Sequence, residues 1–153
     1  MDIENGIVAV LKKDCPTCVL VVPVLQDIEL SGVKLTAYVQ DDPSFARVDR
    51  VVDDRELENS HRFKIETVPT LIRIESGQEV GRVIGWHRAE GEELVGAKGL
   101  GATLPESRPG CGSKSVEPGV AERLELRFGD NPISARRIKV PELSDDIETC
   151  YEK

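Results

Sequence analysis

An unbroken apolar run, Ile7 to Leu11, is followed four residues later by the first of two closely spaced cysteines, Cys15-Pro16-Thr17-Cys18. A continuous β-branched and aliphatic run of this length predicts a strand covered on both faces, because a half-exposed strand alternates. Lys12, Lys13 and Asp14 end it. A helix is expected to start at Cys15 or Pro16, since a proline is tolerated in a first turn, where its missing N–H has no partner to lose. Leu20, Val24 and Ile28 recur at helical spacing. Val19, Val21 and Val22 make the same helix apolar nearly all round, which predicts burial. Pro23 lies inside it and is expected to kink it by removing one hydrogen bond. Ser31-Gly32 closes it. Val33 to Gln40 alternates and predicts a second strand, parallel to the first through the helical crossover.

The next stretch, "DDPSFARVDR", is rich in charge and reads as a long loop. Asp53 or Asp54 is expected to cap a helix running to Phe63, with "DDRELENSHR" as its solvated face. Thr70 to Glu75 and Glu79 to Ile84 predict a hairpin joined at Ser76-Gly77. Arg88 to Val95 predicts a short helix. Near residue 100 the texture changes: "GAKGLGATLPESRPGCGSKSVEPG" is dense in Gly, Pro and Ser. It reads as a linker or extended loop. The expected organisation is therefore a domain over residues 1–99, a linker or extended loop over 100–119, and an accessory segment over 120–153. Val120 to Phe128 fits a helix or, because "LELRF" alternates, a strand. Ile133 to Val140 is expected as a strand carrying the cluster Arg136, Arg137 and Lys139 on its outer face, and Pro141 to Tyr151 as a helix. The last segment carries no stop signal, so the chain is expected to be the N-terminal part of something longer.

The 153 residues carry a formal net charge of −8, which excludes the basic face of a nucleic-acid binder. No segment is long and apolar enough to predict a membrane-spanning helix. "MDIENG" lacks the basic region and apolar stretch of a secretion signal, so a cytoplasmic location is expected. In that compartment four cysteines are expected to be reduced or catalytic.

On the residues alone the close pair fits three uses. Free cysteine packs well, so a buried structural pair is one. A zinc site is another, but it takes four ligands as a rule, and Cys111, Cys150, His61 and His87 are scattered. Redox exchange is the third. Cys111, flanked by Gly110 and Gly112, is either a third redox thiol that relays electrons to or from Cys15 and Cys18, or a loop cysteine in a tight turn. "GCGSKS" lacks the spacing of a phosphate-binding loop. Cys150 is expected to pack in a core. His61 and His87 are expected as surface or capping residues, and Trp86 as a packing anchor that could also flank a groove near Gly85.

The order of strand, Cys-x-x-Cys helix, strand, helix and hairpin resembles the thioredoxin-like fold. Cys15-Pro16-Thr17-Cys18 matches its dithiol motif, and Pro23 its kinking proline. Val68-Pro69-Thr70 matches the loop whose proline is cis, Ser76-Gly77 the hairpin turn, and Gly85 the glycine ending the last strand. The resemblance covers roughly residues 3–98. It implies an α/β fold with a central mixed sheet flanked by helices, here followed by a small C-terminal α+β extension. It implies that Val68 pairs its backbone with a bound substrate segment beside Pro69, in a groove that Thr67 lines. The physics agrees. Thiolate is the nucleophile, and a helix N-terminus stabilises an anion, so Cys15 is expected to attack. Cys18, one turn on, is expected to resolve the mixed disulfide.

Departures from the pattern carry their own expectations. Only fourteen residues precede Cys15, so the family's first strand and helix are missing. Its usual tryptophan before the first cysteine is Asp14, whose charge opposes the helix field while Lys12 and Lys13 assist it. Its buried acid is Ala9, so proton transfer from Cys18 must use water or another group, and slow turnover is expected. The extra residues 41–50 are expected to cover or extend a binding surface.

The function expected is thiol–disulfide exchange on a disulfide-containing protein or small molecule, with an unidentified reductase or thiol donor and no cofactor or metal. Two rivals stand beside it. One is a binding module whose groove beside Pro69 recognises a partner. The other is a redox sensor of a larger protein, whose disulfide changes how the tail packs.

Overall fold

The computed structural model describes residues 5–129. The expected apolar run forms β1 (Gly6–Leu11), buried along almost its whole length. It can be so because it lies in the middle of the sheet, between β2 (Leu35–Val39), parallel to it, and β5 (Thr70–Glu75), antiparallel. The sheet continues outward to β3 (Val51–Asp53) beyond β2 and to β6 (Gln78–Ile84) beyond β5, in the order β3-β2-β1-β5-β6. β1, β2 and β3 run parallel, β5 runs against them, and β6, antiparallel to β5, runs with them again, which makes the sheet mixed.

Helix α1 (Pro16–Leu30) makes the crossover between β1 and β2. It starts where Pro16 allows and ends at Ser31, whose N–H caps the carbonyls of the last turn. Its all-round apolar character does not bury it all round. Thr17, Cys18, Val21, Val24, Leu25 and Ile28 face the core, but Val19 is 51 % exposed and Leu30 85 %. A single helix on a sheet buries one stripe; of the extra valines Val21 lies in it, Val22 is half-buried and Val19 lies outside it.

The stretch expected as a loop over 41–50 contains a turn of 3₁₀ helix, Pro43–Phe45, capped by the Asp42 carboxylate. It leads into β3, an edge strand that the sequence reading missed. The helix expected from Asp53 or Asp54 is only α2 (Glu58–Arg62). Asp54 still caps it from outside, its two carboxylate oxygens accepting the backbone N–H groups of Asn59 and Ser60 at 3.0 and 2.9 Å. The hairpin turns at Ser76 and Gly77, both at positive φ (53° and 78°), the primed geometry that matches strand twist. Before the hairpin, β4 (Thr67–Val68) leads into a cis Val68–Pro69 peptide. After it, β7 (Trp86–His87) precedes α3 (Arg88–Val95), whose first turn is capped by His87, Nδ1 accepting from Glu90 N–H at 3.2 Å.

Residues 100–119 pack against the domain rather than hanging free. β8 (Ser107–Arg108) pairs with β7, and β9 (Cys111–Gly112) pairs with β4, both antiparallel. The Trp86 indole N–H donates to Pro105 carbonyl at 2.7 Å, and Trp86 is buried as an anchor. Of the two readings left open for residues 120–128, the helix is found: α4 (Val120–Phe128) buries Leu124 and lies beside α2. The strand expected over 133–140, the helix over 141–151 and Cys150 lie outside the described residues. Among the described residues no helix is long and apolar enough to cross a membrane.

Candidate functional site

The C-terminal end of β1 delivers the chain to the head of α1, and the turn between them is built by a carboxylate. Asp41, just after β2, accepts the N–H groups of Lys13 and Asp14 at 2.7 and 3.0 Å. Burial disfavours its charge, but those two N–H groups, that of Asp42 and the charge of Lys114 hold its carboxyl below the ordinary value. Asp14 itself points to solvent. Cys15 is the N-cap of α1, in extended conformation, and its Sγ accepts the Cys18 N–H at 3.3 Å. A cysteine thus occupies the place where Ser or Asp usually satisfies the first free N–H groups of a helix.

The two thiols of the motif sit in opposite electrostatic situations. Around Cys15 burial works against the thiolate. Hydrogen bonds from the Cys111 and Cys18 thiols, and from the N–H groups of Cys18 and Thr17, more than offset it and hold the thiol below its ordinary value. Burial pushes the Cys18 thiol far up. The Lys12 N–H, 3.5 Å from its Sγ, opposes this, and the neighbouring Cys15 charge reinforces it. Cys15 and Cys18 are 1 % and 0 % exposed. Both are free thiols.

The loop before the hairpin closes on this pair. Val68, Pro69 and Thr70 are buried and Thr67 half-buried. The Cys15 Sγ lies 3.7 Å from the Val68 carbonyl oxygen. The backbone edge of Thr67 and Val68, expected to pair with a substrate segment, is taken by the chain itself. Val68 stands opposite Cys111 and Thr67 opposite Gly112. Only glycine fits just before: a Cβ on Gly110 would collide with the Val68 carbonyl oxygen. This pairing brings the half-buried Cys111 beside Val68, whose carbonyl oxygen faces the Cys15 sulfur, and each of the two thiols shifts the ionisation of the other. Interaction with the Cys15 thiol, burial and the Cys15 charge all raise the Cys111 thiol, while the charge of Lys12 lowers it.

The covering strand is tied at several points. Lys12 Nζ donates to the Gly112 carbonyl at 2.8 Å and Thr17 Oγ1 to the Pro109 carbonyl at 2.8 Å. Ser113 N–H donates to the Glu66 carbonyl at 3.0 Å. Buried Gln40 donates to the hydroxyls of Ser60 and Ser113, each at 2.8 Å, and accepts Lys114 N–H at 3.0 Å.

The candidate site residues Cys15, Cys18, Thr67, Val68, Pro69 and, from more than forty residues further along, Cys111 lie in one cluster, while His61 and His87 lie elsewhere, beside Gly129 and at the head of α3. Sequence reasoning missed Lys12, Asp41, Thr17 and Gln40 as its supports. Their role is set by which loops meet, and a lone Asp, Thr or Gln carries no local signal of that. Ala9, which stands where the resemblance places a buried acid, is a fully buried core residue of β1. Among the described residues no group of three His, Cys, Asp or Glu side chains is arranged to hold a metal ion.

No protein-family model matches this sequence, and no curated protein does.

Proposed function

We propose that the chain is a thioredoxin-like thiol–disulfide oxidoreductase in which Cys15 and Cys18 cycle between dithiol and disulfide. One observation carries the reading. A free cysteine caps a helix, its sulfur accepts the N–H of a second cysteine one turn on, and its surroundings favour the thiolate. A thiol used only for packing gains nothing from such donors. The mixed sheet, with its Cys-x-x-Cys helix after the central strand and Pro69 beside the sulfurs, is compatible with the fold that the sequence resembles. The substrates on this reading are disulfide-bearing proteins or small disulfides, and a thiol donor restores the dithiol without a bound cofactor. A cytoplasmic site of action belongs to the same proposal.

A redox titration tests it. In glutathione and dithiothreitol buffers, followed by alkylation and peptide mapping, Cys15 and Cys18 should oxidise together and reversibly, between about −270 and −120 mV. Failure of the pair to oxidise in any buffer would remove the reading.

A second reading has its own support. The chain's own strand fills the edge beside Pro69, and both thiols are buried. A sensor whose disulfide loosens that strand would use this arrangement directly. Its signature is a large change in hydrogen-exchange protection over residues 105–116 on oxidation, with no turnover.

A further inference from the structure

We infer that Cys111 is the port of the site: exchange with an external disulfide begins at Cys111 and passes through Cys15 to Cys18. This rests on the exchange reading above and names the thiol that meets the substrate.

The buried pair has no surface of its own. Cys15 and Cys18 are at most 1 % exposed, whereas Cys111, on the strand paired with Val68, is only half-buried. Direct attack by Cys15 would require the covering strand to leave. That means breaking together the Val68–Cys111 pairing, the bonds donated by Lys12, Thr17 and Gln40, and the one that Ser113 N–H donates to the Glu66 carbonyl. Attack by Cys111 requires none of this. Its register places it opposite Val68, the residue whose carbonyl oxygen is 3.7 Å from the Cys15 sulfur.

The electrons balance without a further reagent. The Cys111 thiolate attacks the external disulfide; that S–S bond breaks, a Cys111–substrate disulfide forms, and the first substrate thiolate leaves. Cys15 attacks the Cys111 sulfur, forming a Cys15–Cys111 disulfide and expelling the second substrate thiolate. Cys18 attacks the Cys15 sulfur, forming Cys15–Cys18 and freeing Cys111. Two electrons and the protons of Cys15 and Cys18 have moved to the two substrate thiols. The reverse order oxidises an external dithiol.

Glutathione disulfide is the probe, on the reduced full chain with Cys150→Ser so that only three thiols report. Samples are acid-quenched at increasing times, alkylated and peptide-mapped. The first glutathione adduct is expected on Cys111, ahead of the Cys15–Cys18 disulfide. Cys18→Ser should accumulate Cys15–Cys111. Cys111→Ser should slow oxidation of the pair about tenfold or more, while the final ratio of disulfide to dithiol in a fixed glutathione buffer stays unchanged. A first adduct on Cys15 overturns the port, and so does wild-type speed in Cys111→Ser; both leave the exchange reading standing. The adduct mapping uses the unaltered three-thiol site, so it decides even if a variant misfolds. Absence of a Cys15–Cys18 disulfide at every time and buffer sinks the exchange reading, and the port falls with it.

Discussion

Cys15 and Cys18 sit one helical turn apart, and the fold moves their thiols in opposite directions. The consequence for stability follows from linkage. A thiol raised in the fold, as Cys18 is, contributes stability below its unfolded value of 9.0 and loses it as pH climbs from there towards its folded value. A thiol lowered in the fold, as Cys15 is, does the reverse: its contribution is full above 9.0 and fades as pH falls through its folded value. Above 9.0 only the Cys18 slope remains between the two. Reduced wild type should then lose about 1.4 kcal/mol per pH unit relative to Cys18→Ser. Urea unfolding of both proteins between pH 8 and pH 10.5, in reductant, checks this, because lysines and tyrosines cancel in the difference. A pH-independent difference would mean that Cys18 ionises in the fold as easily as out of it. At this scale the sequence is legible where chemistry is local. The motif, the helix start and Pro69 mark Cys15, Cys18 and the loop beside them. It leaves Cys111 between two readings, because its place depends on a strand pairing forty-three residues away from Val68, and it is silent on Asp41, which acts only because β2 ends beside the Lys13-Asp14 turn.

Among elements, β1, α1, the hairpin and α3 follow from patterns that the chain states within ten or fifteen residues: an unbroken apolar run, helical spacing, a two-residue turn. The short edge strand β3 has no such pattern, since three residues give no period, and its pairing with β2 alone defines it. The length of α2 was equally hidden, because Asp54 caps it across an intervening turn rather than at its N-cap. That carboxylate is 1 % exposed and serves Asn59 and Ser60 with backbone and side-chain bonds. Asp54→Ala orphans these buried donors and should cost about 1–3 kcal/mol or more, read as a lower urea midpoint at an unchanged slope. Loss of less than half a kcal/mol, an order-of-magnitude floor for one hydrogen bond, would show that water replaces the carboxylate. The strand β9 gives a sharper case. Gly110→Ala drives a methyl group into the Val68 carbonyl oxygen, a backbone atom that cannot swing away. The cost, about 1–3 kcal/mol for overpacking, should fall on β9 and leave the central sheet intact. Hydrogen exchange should rise over residues 110–113 and alkylation of Cys15 should quicken, with protection of β1 and β5 retained. Uniform loss of protection would place β9 inside the cooperative core instead.

For the whole molecule the question is where the folded unit ends. Composition suggests residue 99, because Gly, Pro and Ser crowd the stretch beyond it and such stretches usually connect rather than pack. The interior says otherwise. The Trp86 indole N–H needs the Pro105 carbonyl, and buried Gln40 spends its amide on Ser113 and Lys114. The Lys12 ammonium, on a buried residue, needs the Gly112 carbonyl, and Thr17, also buried, needs that of Pro109. Gly and Pro are used in this stretch for close approach, as at Gly110, rather than for freedom. A chain cut after residue 99 would leave those polar groups without partners and uncover the edge of β4 and both sulfurs. At about 1–3 kcal/mol for each buried group so orphaned, the loss is comparable to the whole stability of a small domain. The cut chain should therefore be unfolded or poorly cooperative in a urea titration. A chain cut after residue 129 keeps all these contacts and should unfold cooperatively, and its midpoint is the reference for the shorter chain. If the shorter chain instead unfolds cooperatively at that midpoint, the covering strand is an ornament on a self-sufficient domain. Cys15 would then be as open as Cys111, and the dithiol would meet its substrates directly.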